Sequence, residues 1–450
     1  MGLFVDIPKP STWPRPKPDE TERIQKLMSY AQERDPIGDK IHTIFACAFF
    51  VTVPFNIPAA SITFSVLVFY WLIRLPSTYR TLSLLTTNTI VIYLLLWFCW
   101  LSLSLLWSNN IDNGLDHLRS SRMMFLPILL WPIMHNWKKL VISALVGVAI
   151  LNALQISDFL ISVFQKKPIE RTSGFIGGHP PNAGLWSSFS FIVLSSWIFT
   201  IQNKRKAIFI SLILLAVSAL FGSVLAGGRG NFVGLFVAVP VLVFCILKNS
   251  NTSPKKLVIL LCGFAAIVST VWLVPPARKL TQVRTEQALE GYKKYIEQDD
   301  PRTSTGIRLA WWSSSVRAFK NHPIRGVGLG GFPNWTVVDD GLDGYVKRWP
   351  GFSKRVLLEP SHPHSMYFST LAEGGLVGIG ILIAVFICLC VASVYIGSSL
   401  SFGPIMLPLV LLWFIAGSFE IFQHHGQTLA MLGLLASIAS ITKSNVRLGE

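Results

Sequence analysis

Apolar stretches of ~17–25 residues, the length a helix needs to cross a bilayer, recur along the whole chain. They predict membrane helices at 42–59, 61–74, 82–107, 123–136, 140–164, 183–201, 207–226, 232–247, 257–275, 366–396, 404–422 and 427–442, about twelve in all. Two of them stand out. The 123–136 stretch is short and contains Pro127 and Pro132, and the 366–396 stretch is long enough that its start belongs in the membrane interface. A β-barrel would show alternating segments of about 10 residues instead. The fold class is therefore an all-α polytopic membrane protein.

The polar stretches divide the chain. Residues 1–40 form a proline-rich, charged tail with a short amphipathic helix around 20–34 and no apolar signal core. Residues 41–275 hold the first nine spans, 276–365 form one long loop, 366–442 hold the last three spans, and 443–450 close the chain. A structureless loop of that length would be unusual. Helical patterns near 278–298 and 303–320, the second opening on the capping sequence Thr303-Ser304-Thr305, predict a mostly helical subdomain lying on the membrane.

Sidedness follows from the basic turns. Lys138 and Lys139, then Lys204, Arg205 and Lys206, then Lys248, Lys255 and Lys256 fall on one side when spans are counted, together with both termini. The positive-inside rule makes that side cytoplasmic. The opposite side receives 165–182, 227–231, 276–365 and 423–426.

Composition supports this picture. The chain is 51% hydrophobic and 14% charged, against about 25% charge in an average soluble domain. The net charge of +16 does not point to nucleic acid, because the basic residues are scattered between spans. All six cysteines lie within apolar stretches and read as small hydrophobes rather than disulfides or metal ligands.

Chemistry-bearing residues gather on the outer side. In Gly227-Gly228-Arg229-Gly230-Asn231 the glycines allow close backbone approach, and the guanidinium fork suits phosphate. The same turn could instead hold a snorkelling arginine. Arg308 sits on the second loop helix beside Trp311 and Trp312, either near a membrane-embedded phosphate or paired with headgroups. His364 and His362 compete for the role of a near-neutral base. Arg171, Arg119 and Arg122 are further outer-side candidates for phosphate contact. The glycine-rich stretch 326–331 lacks the Lys-Ser/Thr of a nucleotide loop. Gly177-Gly178-His179-Pro180-Pro181-Asn182 reads as an ordinary turn or as part of the same cleft. Glu420, Gln423, His424 and His425 form a polar cluster with too few converging ligands for zinc, and Asp299-Asp300 and Asp339-Asp340 read as solvated turns. No metal and no cofactor is expected.

These features, in this order, resemble the O-antigen ligase and polymerase superfamily of bacterial inner membranes. The resemblance rests on the Gly-Gly-Arg229-Gly turn, the Arg308 helix, the stretch 321–332 and the His364 block, and covers roughly residues 80–440. The ligase pattern is His-Asn/Ser/Gln, nine residues, Gly, two residues, Gly/Thr/Tyr. Here His364 and Ser365 are followed by nine residues, then Gly375, two more and Gly378, which selects His364 over His362. The resemblance implies a metal-independent, C-type glycosyltransferase-like fold working at the periplasmic face of the inner membrane. It implies transfer of a glycan from undecaprenyl pyrophosphate to a hydroxyl of lipid A–core, with His364 as base and Arg229 and Arg308 on the pyrophosphate. The rival expectations are an O-antigen polymerase on the same donor, an O-linked protein glycosyltransferase and, outside the enzymes, a transporter of lipid-linked sugars.

Overall fold

A computed structural model describes residue 26 and residues 29–167, 171–174, 178–200, 206–249, 275–349, 362–396 and 403–442. Among these the regular structure is helical throughout. The first helices are α1 (Pro36–Thr52), α2 (Ile57–Thr78) and α3 (Thr89–Ser104). Each begins where its sequence supplies a cap: the Asp35, Asn56 and Asn88 side chains accept first-turn backbone N–H groups. Next come α4 (Ile111–Ser121), α5 (Leu126–Leu130) and α6 (Trp137–Phe164). The expected span 123–136 is not one α-helix. Pro127 and Pro132 each remove a backbone donor, and the chain runs as a 3-10 turn, the single turn of α5 and a second 3-10 turn directly into α6. The expected span 82–107 is likewise shortened, because 79–86 is a 3-10 segment.

Three long helices follow: α7 (Pro180–Thr200), α8 (Lys206–Ala226) and α9 (Arg229–Asn249). The expected span 257–275 lies outside the described residues except for Pro275. The long loop contains α10 (Pro275–Gln298) and α11 (Ser304–Asn321), close to the two stretches read from the sequence, and then the short α12 (Phe332–Val338) and α13 (Asp340–Arg348). The last helices are α14 (Met366–Ile396), α15 (Gly403–Ala416) and α16 (Gly426–Thr442). Helix α15 stops six residues short of the predicted 422, which frees 417–425 to form a loop.

Among the described residues, six helical stretches are long and apolar enough to cross a membrane: Ile57–Ser83, Thr89–Trp107, Ile111–Phe164, Lys206–Ala226, Arg229–Lys248 and Met366–Val394. The protein is thus a polytopic all-α membrane protein. Of the other expected spans, 123–136 is the proline-broken run within Ile111–Phe164, 257–275 lies outside the described residues but for Pro275, and the rest fall on shorter helices (α1, α15, α16) or on α7. Helix α7 buries Ser187, Ser188, Ser190, Ser195 and Ser196 inside the bundle. Helices α7 and α8 pack together, α9 lies on α15, and α14 contacts α3, α11 and α15.

Helix α14 is broken at Gly375, whose φ of 61° and ψ of −156° lie in a region open essentially only to glycine. The break exposes backbone groups that the loop after α11 then satisfies. Leu376 N–H donates to Pro323 O at 2.8 Å, and Val327 N–H donates to Ala372 O at 2.9 Å. An added Cβ at Gly375 would stand 2.4 Å from Ile324 O. The long loop is thereby fastened to the N-terminal part of a membrane helix. Its own small core holds Ala310, Trp311, Ala318, Phe332 and Leu342, together with Ala372 of α14.

In the two turns read as solvated, Asp340 is exposed and Asp299 partly so, but one carboxylate of each pair is buried. Asp300 and Asp339 are 3% and 4% exposed. Asp300 pairs with Arg302 at 2.9 Å, and Asp339 takes two bonds from Arg317 at 2.7 Å while capping α13. Buried carboxylates of this kind need such partners.

Candidate active site

The segments that the span count placed on the outer side meet one another. Thr172 N–H donates to Leu225 O, Asn113 donates to Gly330 O, and Asn231 at the start of α9 donates to Pro181 O. A small cavity at this junction is lined by Arg171, Arg229, Arg308, Ser304, Asn231 and Glu420. Three guanidinium groups from three separate segments therefore share one pocket.

Each is placed by local structure. Gly227, with φ at 60°, reverses the chain between α8 and α9, so that Arg229 opens α9 and its Nη1 reaches Thr305 Oγ1 at 3.4 Å. Gly230 lets α9 press on α15, since a Cβ there would stand 2.5 Å from Ala416 O. Arg308 lies one turn into α11, which Thr303 caps. Arg171 belongs to the short 171–174 segment before α7. Burial, and then the Arg308 charge beside it, push the Arg171 pKa down, with Glu420 opposing. Mutual repulsion among these half-buried cations leaves the pocket suited to an anion.

Glu420 joins this pocket to His364. Its Oε1 is 3.8 Å from Arg308 Nη2 and its Oε2 is 3.6 Å from His364 Nδ1. Both separations exceed a hydrogen bond, so the coupling is electrostatic. Burial alone would raise the Glu420 pKa, but His364, Arg308 and His179 together hold it below the usual carboxylate range. Glu420 therefore stays an anion.

His364 is one of the few non-glycine residues with positive φ, at 52°, a conformation that costs an L-residue of order 1 kcal/mol. Three contacts hold it there. Its ring stacks on Trp311 at 5.5 Å, its N–H donates to His362 Nδ1 at 3.3 Å, and Trp312 donates to the carbonyl of Pro363 at 2.9 Å. The following helix is fixed by Met366 N–H, which bonds Gly417 O at 2.8 Å and Glu420 O at 3.0 Å. One backbone junction thus sets the spacing between His364 and Glu420.

His362 lies edge-on to His364, with ring centroids 4.3 Å apart. Burial, and then the neighbouring histidines, push its pKa well below the ordinary value. His179 stacks on His425 at 4.9 Å and is also held toward its neutral form by burial.

Arg119 and Arg122 do not join the three arginines. They line a second cavity, of about 290 Å³, with Ile57, Ser61, Asn182, His424, His425 and Gln427. Arg119 is exposed and pairs with Asp116 at 2.6 Å, while Arg122 reaches Ser61 and lies over the Phe64 ring.

The sequence reading did not couple Glu420 to His364 or seat Trp311 against it, nor did it place further ligands beside His424. The structure corrects the last point, because His117 and Glu373 both converge on His424. The available signal was a carboxylate inside an otherwise apolar stretch, which applies to both Glu373 and Glu420.

Comparison with known proteins agrees with the resemblance. Residues 214–383 match the O-antigen ligase family. That stretch carries Arg229, Arg308, His362, His364 and Glu373, and leaves out Arg171 and Glu420. A relative from Haemophilus influenzae, described as an uncharacterized protein, is 25% identical over 287 residues. The aligned region covers 62% of this chain and 64% of that relative's length.

Proposed function

We propose that this protein is an O-antigen ligase, a membrane glycosyltransferase that moves a glycan from undecaprenyl pyrophosphate to a hydroxyl of lipid A–core at the periplasmic face of the inner membrane. The observation that carries the reading is the convergence of Arg171, Arg229 and Arg308 on one pocket joined to His364 by Glu420. The O-antigen ligase family match supports it.

In this reading the pyrophosphate of the donor enters the arginine pocket. His364 Nδ1 faces the Glu420 carboxylate, which leaves Nε2 to take the proton from the acceptor hydroxyl. The acceptor oxygen attacks the anomeric carbon as the bond from that carbon to the phosphate oxygen breaks. The bonding pair leaves with the pyrophosphate, where the three guanidiniums stabilise the growing charge in a partly buried site. In-line attack inverts the anomeric centre. Glu420 acts as a positioning residue that steadies the imidazolium formed, the role an acidic partner plays for a catalytic histidine elsewhere. Arginines here do what a metal does in other transferases, so this step is expected to need no metal.

The test is transfer in vitro. Purified protein is mixed with an undecaprenyl-pyrophosphate-linked glycan and lipid A–core, and products are separated by size. A glycan ladder on lipid A–core is expected, with an inverted linkage by NMR. Elongation of the lipid-linked glycan without transfer to lipid A–core would replace the reading with that of a polymerase.

A further inference from the structure

Outside the arginine pocket, one cluster of ionisable side chains has no use in the transfer reaction. His117 on α4, Glu373 in the last turn before the Gly375 break and His424 in the 3-10 turn 422–424 come together. Their ligand-capable atoms all lie within 4.8 Å of one another. All three residues are buried, at 9%, 3% and 7% exposure. The two imidazoles are stacked, with centroids 3.6 Å apart and planes 22° from parallel.

The hydrogen bonding around this cluster is incomplete. His424 Nε2 is 3.7 Å from Glu373 Oε2, beyond hydrogen-bond range. Nδ1 of His117 and Nδ1 of His424 have no hydrogen-bond partner. Glu373 Oε1 is held by the Gly330 N–H at 3.1 Å, so its other oxygen is turned to the histidines. His424 Nε2 and Glu373 Oε2 thus face each other across a gap too wide for a hydrogen bond, a costly arrangement for buried polar atoms that a cation set between them would relieve.

We propose that His117, Glu373 and His424 form a binding site for a divalent transition-metal ion, zinc by the character of the ligands. Two imidazoles and one carboxylate are a zinc-type donor set. Calcium and magnesium demand oxygen ligands throughout. Zinc–nitrogen bonds of ~2.0–2.1 Å require the three side chains to draw inward by roughly 1 Å and the two stacked rings to swing so that one nitrogen of each points at the ion. The Gly330 N–H supplies the outer hydrogen bond that orients a ligating carboxylate. His424 also lines the second cavity, from which a water would complete a tetrahedral set. The ion would tie together α4, the outer end of α14 and the 417–425 loop that carries Glu420. Its role is structural, and it stands whether or not the transfer reading holds.

The experiment uses full-length protein purified in detergent with a non-histidine affinity tag. Zinc is measured by mass spectrometry after gel filtration, and cobalt(II) replaces it for visible absorption. We expect about one zinc per chain and a cobalt d–d band for wild type. Both should be lost in the His117→Ala/His424→Ala double variant and retained in His362→Ala and His364→Ala. Glu373→Gln, which keeps the side-chain shape, should weaken cobalt binding at least tenfold without altering the elution profile. The inference is overturned if wild type neither retains zinc nor develops the cobalt band, a result that does not depend on any variant folding. It is equally overturned if the band persists in the double variant.

Discussion

His364 owes its position to three neighbours rather than to its own backbone preference, and Arg308 shares its pocket with two other guanidiniums. The arginines are expected to be irreplaceable by lysine, whose compact ammonium lacks the planar fork that meets two phosphate oxygens. Arg308→Lys should lower kcat about 10²–10³-fold, the usual cost of losing one donor at a developing anion, as measured by initial transfer rates. A rate within a few-fold of wild type would remove Arg308 from the pyrophosphate. Glu420→Gln should lower kcat while leaving the KM for donor nearly unchanged, and Glu420→Asp should restore part of the loss. A rise in KM alone would make Glu420 a binding residue and end its positioning role. At this scale the sequence was informative about His364, Arg229, Arg308 and Arg171, because each sits beside a glycine turn, a capped helix or a proline at an outer span end. It marked Glu420 as a carboxylate in an apolar stretch but not its coupling to His364. That carboxylate gains its meaning only when α15 stops at Ala416 and the loop after it folds back onto Met366.

Helices α10 and α11 could be read directly, since apolar periodicity and the Thr303 cap are local signals. The break in α14 could be read only as excess length. Its cause is long-range: the 323–328 segment hydrogen-bonds to both sides of Gly375. Gly375→Ala should therefore destabilise the protein by more than ~1 kcal/mol, as expected for a side chain forced into positive φ and driven against Ile324 O at 2.4 Å. Thermal unfolding in detergent would show a clearly lowered midpoint, and an unchanged midpoint would mean that the break is not required. The run 122–136 could not be read correctly from hydropathy, because its apolar residues meet the length test while Pro127 and Pro132 prevent a single helix. Asp300 and Asp339 were misjudged for a related reason. Local sequence marks a charged turn, but the arginines that allow burial are positioned by the fold.

Across the whole molecule, the count of spans brought 165–182, 227–231, the long loop and 423–426 to one end, and described parts of these segments meet there, Arg229 on Thr305 and His179 on His425. The partition into two cavities was beyond the sequence. Arg119 and Arg122 line the second cavity instead, Arg122 held against Ser61 and Phe64 of α2 and Arg119 exposed and paired with Asp116. The same end also gathers histidines that resist protonation, and this makes stability depend on pH. Burial depresses the pKa of both His179 and His362 in the folded state. The unfolded chain thus binds more protons once pH falls below the ordinary histidine value of about 6.5, and folding stability declines as pH drops from that point. The depressed pKa of Glu420 acts with the same sign at lower pH, near and below the ordinary carboxylate range. Unfolding midpoints in detergent should be level from pH 8 to about 7 and fall toward pH 5. A midpoint that rises over that interval would show these histidines to be charged in the folded protein. The most direct test of the central claim compares glycan transfer to lipid A–core by wild type and by the His364→Ala variant, both eluting as folded protein. The account predicts a ladder for wild type and at least a ~10²-fold loss for the variant, the scale of a missing general base. Transfer by His364→Ala at near wild-type rate would contradict it and leave the arginine pocket without its base.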